Sequence, residues 1–350
     1  MKHQSFVDWM KAIGMLLIVI GHVIGGPYHI FNEVNQPIYT KQLGVSFFVF
    51  VMGWGLANET RNGIFVVYNR LFAMYFWGLL AAVTLSVIFF FVSGDLVESN
   101  YLPFFFGINV LFDNFPANPT TWYIGTYLHI LLFWLFVTKG KKVGIGQIIL
   151  AAILENLIRC IILYYNKDFI AYMLLPNWLT VFLLGSYFSD KQDGLWSKRT
   201  TILLITWFAV MAAWSNVEIL VPFNEGFPWR DFVHASIWTL PVRSALITVI
   251  YVFNTIVAFE VFRCLRLFKP ISFFARNTII IFIAHMPIIF QFSSQYYNLF
   301  ESRAVGSWSL IIVIFVGLGL FSEAMQRMIN VKALSQYGWR LIAKLVPNLK

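Results

Sequence analysis

Apolar runs of about twenty residues recur along this chain from end to end. That is the length an α-helix needs to cross the roughly 30 Å hydrocarbon layer of a bilayer. Lipid offers no water to satisfy stray backbone groups, so each run is expected to be a helix that pairs its own amides. Composition agrees: 59% of residues are hydrophobic, only 12% are charged, and mean hydropathy is +0.73. A soluble chain would carry roughly a quarter charged residues. The expected fold is therefore all-α, a polytopic integral membrane protein with about ten transmembrane helices. They are placed near 10–26, 41–58, 71–92, 122–138, 143–165, 169–188, 200–217, 236–259, 278–292 and 305–323.

Charge supplies an orientation. With the N-terminus in the cytoplasm, 19 of the 25 Lys and Arg fall on the cytoplasmic side. Only Lys41, Lys167, Arg230 and Arg303 lie outside, while Arg159 and Arg243 sit within spans. This is the positive-inside asymmetry of a multi-pass protein with both termini cytoplasmic. The net charge of +9 is then mostly topology, not a nucleic-acid footprint. Cys160 and Cys264 suit neither a disulfide nor a metal site. The first apolar run lacks a convincing cleavage site and is read as a retained span. Residues 1–323 are expected to form one membrane domain and 324–350 a short basic cytoplasmic tail.

Ionisable residues inside apolar spans are costly and usually functional. Lys11 and His22 are eleven residues apart, so on a helix they return to one face, with His22 about 16 Å deeper. Asp8 lies near the same stripe. A catalytic pair and a histidine bonded to a neighbouring helix are both open from spacing alone. Glu155 and Arg159 form an i, i+4 pair in the favourable order, fit either to clamp helices or to line a cavity. Arg243 follows Pro241 with no carboxylate on its own helix, which points it at a cavity, a headgroup or a distant acid. His129 follows Trp122 by two helical turns. Pro287 frees a carbonyl near Ile283, beside His285. Past the last span, Trp339, Ile342, Ala343 and Val346 share a helical face that excludes Arg340 and Lys344.

These residues fall in the order of a known pattern. Asp8-Trp9-Met10-Lys11 with His22 resembles the first helix of membrane acyltransferase family three, which usually has arginine where Lys11 stands. Gly44-Val45-Ser46-Phe47-Phe48 with Gly53, the Trp122-Tyr123-Ile124 opening, Phe182 with Gly185, and Ala284-His285-Met286-Pro287 are similar to later motifs of that family. Arg70 matches one of its two paired arginines, with Ala73 at the other position. Met52 and Tyr127 are further departures. Pro37-Ile38-Tyr39 before Lys41-Gln42 looks like the fucose-acetylase-like branch.

The resemblance implies a sugar O-acyltransferase, most often an O-acetyltransferase, of a bacterial inner or plasma membrane. The donor would be acetyl-CoA or another acyl-CoA met from the cytoplasm. The acceptor would be a hydroxyl of a surface polysaccharide or lipid-linked glycan. Membrane lipids would be the only other partners, with no nucleic acid, no metal and no permanently bound cofactor. His22, with Lys11 and His285, would carry the chemistry. Arg70 would meet donor phosphate, and Asp8, Trp122, His129 and Arg243 would line substrate. Intramembrane charges would equally serve a transporter or a lipid-linked-sugar flippase. Walker A, dinucleotide, zinc-protease and serine-hydrolase signatures are absent.

Overall fold

The computed structural model describes residues 3–23, 40–94, 101–112, 114, 119–216 and 240–346. Within them the protein is all-helical, without strands. The elements are α1 (Ser5–Val23), α2 (Thr40–Ala57), α3 (Gly63–Ser93), α4 (Leu102–Phe105), α5 (Trp122–Phe133), α6 (Ile145–Tyr164) and α7 (Asp168–Met173). They continue with α8 (Leu179–Tyr187), α9 (Lys198–Asn216), α10 (Leu240–Phe262), α11 (Lys269–Tyr297), α12 (Arg303–Met328) and α13 (Val331–Leu345).

Among the described residues six helices are long and apolar enough to cross a membrane: α1, α3, α6, α10, α11 and α12. Residues 41–57 and 122–138 are shorter apolar helices. The expected count of ten is therefore not reached by length and composition. The sixth expected span, 169–188, is broken. Pro176 sits in a 3₁₀ turn, Leu175–Trp178, between the short α7 and the nine-residue α8. The expected 200–217 span is helical as α9, but its first residues are Lys198 and Arg199.

Helix α1 lies at the centre, packed on α2, α10, α11 and α12. Its start is capped from far along the chain. The Asp193 carboxylate accepts from the backbone N–H of Ser5 at 2.6 Å and of Phe6 at 3.1 Å, replacing a local N-cap. Phe6 then meets Trp54 and Phe259 edge-on, at centroid distances of 5.2 and 5.0 Å.

Helices in lipid associate through close packing, and glycine permits it. A Cβ on Gly53 would lie 2.1 Å from Phe182 O, and one on Gly185 would lie 2.1 Å from Phe50 O. The α2–α8 crossing is thus backbone against backbone. Gly185→Ala is expected to cost about 1–3 kcal/mol of stability, because a backbone must move. Gly317→Ala is the control, since a Cβ there meets nothing within 4 Å. Thermal unfolding in detergent distinguishes them, and equal melting temperatures would contradict the close crossing. Outward stripes such as Ile149, Ile153, Leu157 and Ile161 on α6 are exposed, as lipid-facing residues should be.

The pair Glu155 and Arg159 is buried to 1% and fully bonded. Arg159 pairs with Glu155 and donates to Asn177 Oδ1 at 3.0 Å, Ser244 O at 2.7 Å and Thr248 Oγ1 at 3.0 Å. Glu155 accepts from Thr248 Oγ1 at 2.6 Å and from the Thr180 N–H at 3.1 Å. Of the two roles open from the sequence, the structure gives the clamp. It ties α6, α8, the 3₁₀ turn and α10 together.

Candidate active site

Helix α1 presents Lys11 to a cavity of about 330 Å³, whose other cation is Arg70 on α3. Between them the walls are apolar and aromatic: Phe48 and Met52 on α2, Tyr123 and Tyr127 on α5, Phe282 on α11. Arg61, nine residues before Arg70, is already spent. It donates to both Glu59 oxygens, at 2.8 and 2.6 Å, and holds that carboxyl down at about 2. Arg70 lines the cavity and makes no hydrogen bond or ion pair among the described residues. Asp8 acts on Lys11 electrostatically, but its carboxylate bonds the His3 ring at 3.1 Å. It does not line the cavity.

At the other end of α1 stands His22, half-buried, against the fully buried His285. Their ring centroids are 4.8 Å apart, and His285 Nε2 lies 2.9 Å from His22 Nδ1. The surrounding carbonyls assign the protons. A carbonyl oxygen only accepts, so His285 Nδ1, at 2.6 Å from Phe282 O and 3.2 Å from Ile281 O, carries hydrogen. In a neutral ring its Nε2 is then an acceptor. The hydrogen on His22 Nδ1 lies between that nitrogen and Ile18 O, which is 3.0 Å away. His22 Nε2 keeps a free lone pair and makes no hydrogen bond among the described residues. A ring held in this tautomer can take a proton at Nε2.

Phe282 joins the two ends. It lines the cavity and packs against His285 at 5.8 Å and Tyr123 at 5.2 Å. One turn of α11 is held open by Pro287, and the freed carbonyl of Ile283 accepts from Thr120 Oγ1 at 3.2 Å. Thr120 was not singled out from the sequence. Pro287 announced the free carbonyl, but nothing in the local sequence named its partner. Lys41, read from the sequence only for topology and for the pattern before α2, lies near enough to act on His22 electrostatically.

Trp122 and His129, also expected in the site, make their described contacts away from both pairs. Trp122 packs on Tyr172 at 5.0 Å. His129 is hydrogen-bonded to the backbone of Gly107. Arg243 belongs to α10, but its side chain lies outside the described residues, as do residues 24–39 with the Pro37-Ile38-Tyr39 pattern.

Residues 4–322 match the family model of an acyltransferase domain, Acyl_transf_3. The chain belongs to acyltransferase family 3. No curated protein and no solved structure matches it. An acyltransferase of this family, carrying several apolar helices, is a multi-pass membrane enzyme. The transporter or flippase alternative raised by the intramembrane charges has no support. The match runs past every element that builds the two ends of the site, from Asp8 on α1 to Pro287 on α11.

Proposed function

We propose that this family 3 enzyme moves an acyl group, most simply acetyl, from acyl-CoA to a carbohydrate hydroxyl. The observation that carries this reading is the arrangement along α1. Two cations share a cavity at one end, and a histidine with a free ring nitrogen stands about 16 Å further along the axis. Donor phosphates meet Lys11 and Arg70, and the uncharged arm of the donor follows the apolar wall towards His22. There Nε2 takes the proton of the acceptor hydroxyl as its oxygen attacks the thioester carbonyl. The tetrahedral oxyanion collapses, the C–S bond breaks, and the departing thiolate receives the proton from His22. His285 acts through His22, by fixing its tautomer and ring orientation. The acceptor is a surface polysaccharide or lipid-linked glycan of the cell membrane. The end bearing Lys11 and Arg70 faces the cytoplasm, as the distribution of basic residues favours.

Transfer of label from acetyl-CoA to a sugar by the purified protein tests this directly. Movement of intact, unmodified sugar across vesicle membranes, without label transfer, would overturn it. Arg70 gives a second handle. Arg70→Ala is expected to weaken acyl-CoA binding about tenfold or more, the scale of a lost charge-assisted contact. Wild-type binding should fall with added salt, and the variant should respond less. Unchanged donor affinity in the folded variant would leave Arg70 as a topology anchor.

A further inference from the structure

A second cleft, of about 310 Å³, opens beside the cavity just described. Ile279 of α11 lines both. Helix α3 separates them by its own periodicity. Arg70 and Met74 face the first, while Asn69, Ala73 and Trp77 form an i, i+4, i+8 stripe on the second. The opposite wall is the α12–α13 turn and the start of α13, held to α3 by Ser335. Its hydroxyl donates to Asn69 Oδ1 at 3.1 Å, and its carbonyl accepts from Tyr68 OH at 3.2 Å.

The lining has a definite chemistry. Trp77, Val331 and Ser335 make a buried floor. At the rim, the Gln326 amide N–H₂ is spent on Asn277 Oδ1 and Ser322 Oγ, which leaves its oxygen as an acceptor. Asn69 offers the complement, because its oxygen is used by Ser335 and its N–H₂ makes no bond among the described residues. Lys332 is exposed at the edge and has no ion pair among them, and no Asp or Glu lines the cleft. An aromatic floor, a neighbouring amide donor and acceptor, and one unneutralised cation suit a planar heterocycle carrying phosphate.

We propose that this cleft between α3 and α13 holds the nucleotide end of the acyl donor, with Arg70 and Lys11 taking the phosphates that lead into the main cavity. The proposal rests on the acyl-CoA reading of that cavity. It also gives α13 a task, as the outer wall of a donor subsite.

Binding of three probes to the full-length purified protein tests it: coenzyme A, adenosine 3′,5′-bisphosphate and 4′-phosphopantetheine. Asn69→Asp keeps the acceptor that Ser335 uses and removes the free donor. Lys332→Glu reverses an exposed charge and leaves the packing alone. Each is expected to lower affinity for coenzyme A and for the bisphosphate about tenfold, with 4′-phosphopantetheine unchanged. Equal losses for coenzyme A and 4′-phosphopantetheine, or no loss for either, would overturn the subsite. Should Asn69→Asp fail to fold, Lys332→Glu carries the same comparison. Wild-type protein that bound none of the three probes would refute the acyl-CoA reading itself, a result distinct from failure of the cleft alone.

Discussion

His22→Gln is expected to lose about 10² to 10⁴ in the rate of acyl transfer, the usual cost of removing a general base. Membrane insertion and donor affinity should stay near wild type. Glutamine can still donate to Ile18 O and to His285 Nε2, so the hydrogen bonds that seat the ring survive in kind. What disappears is a nitrogen that accepts a proton. The comparison therefore separates a base from a hydrogen-bonded spacer, which would tolerate the amide. His285→Gln should lose less, because it disturbs the tautomer of His22 and leaves its basic nitrogen in place. Label transfer at saturating acetyl-CoA is the measurement. Full activity in His22→Gln would remove the base from this position and with it the proposed proton path.

Arg159→Met should produce the largest loss of stability, about 3–5 kcal/mol, because it leaves Glu155 buried and unpaired. It also strips partners from Asn177, Ser244 O and Thr248 at once. Thermal unfolding in detergent should show a clear fall in melting temperature. A double variant, Arg159→Met with Glu155→Gln, should recover part of it, since the uncompensated charge is gone. A single variant as stable as wild type would show that the pair is not the clamp its geometry describes.

Much of the fold was legible because lipid imposes a simple rule on long apolar runs. The rule finds the hydrocarbon-crossing part of a helix and misses polar extensions. Helices α3, α11 and α12 run to 31, 29 and 26 residues, about 46, 43 and 39 Å at 1.5 Å per residue. The polar turns at Asn69–Arg70 and Arg276–Asn277 therefore continue helices that hydropathy starts later. The break at Pro176 was visible as a residue, but the surrounding run was apolar enough to read as one span. Within the candidate site, periodicity put Lys11 and His22 on one helix, and both lie on α1. The meeting of His22 with His285 did not follow from it, because those residues are 263 positions apart and only the α1–α11 packing joins them. Only the family resemblance set Arg70 apart from Arg61 in the sequence, since both precede the third apolar run. The structure separates them, since Glu59 engages Arg61 and leaves Arg70 unbonded among the described residues.

The clamp on α6 has a consequence for how the chain is made. Its partners on α10 are Ser244 and Thr248, 85 and 89 positions after Arg159. At ordinary rates of translation that separation is roughly 4–18 s of synthesis. During this interval α6 enters the membrane without them. The i, i+4 placement lets Glu155 neutralise Arg159 inside its own helix, so the nascent segment never presents a lone charge to lipid. When α10 arrives, it finds a polar spot on an otherwise oily cylinder and can dock in one rotational setting. A pair built across two helices would bond as well in the finished bundle, but would leave each newborn helix carrying a bare ion into the bilayer.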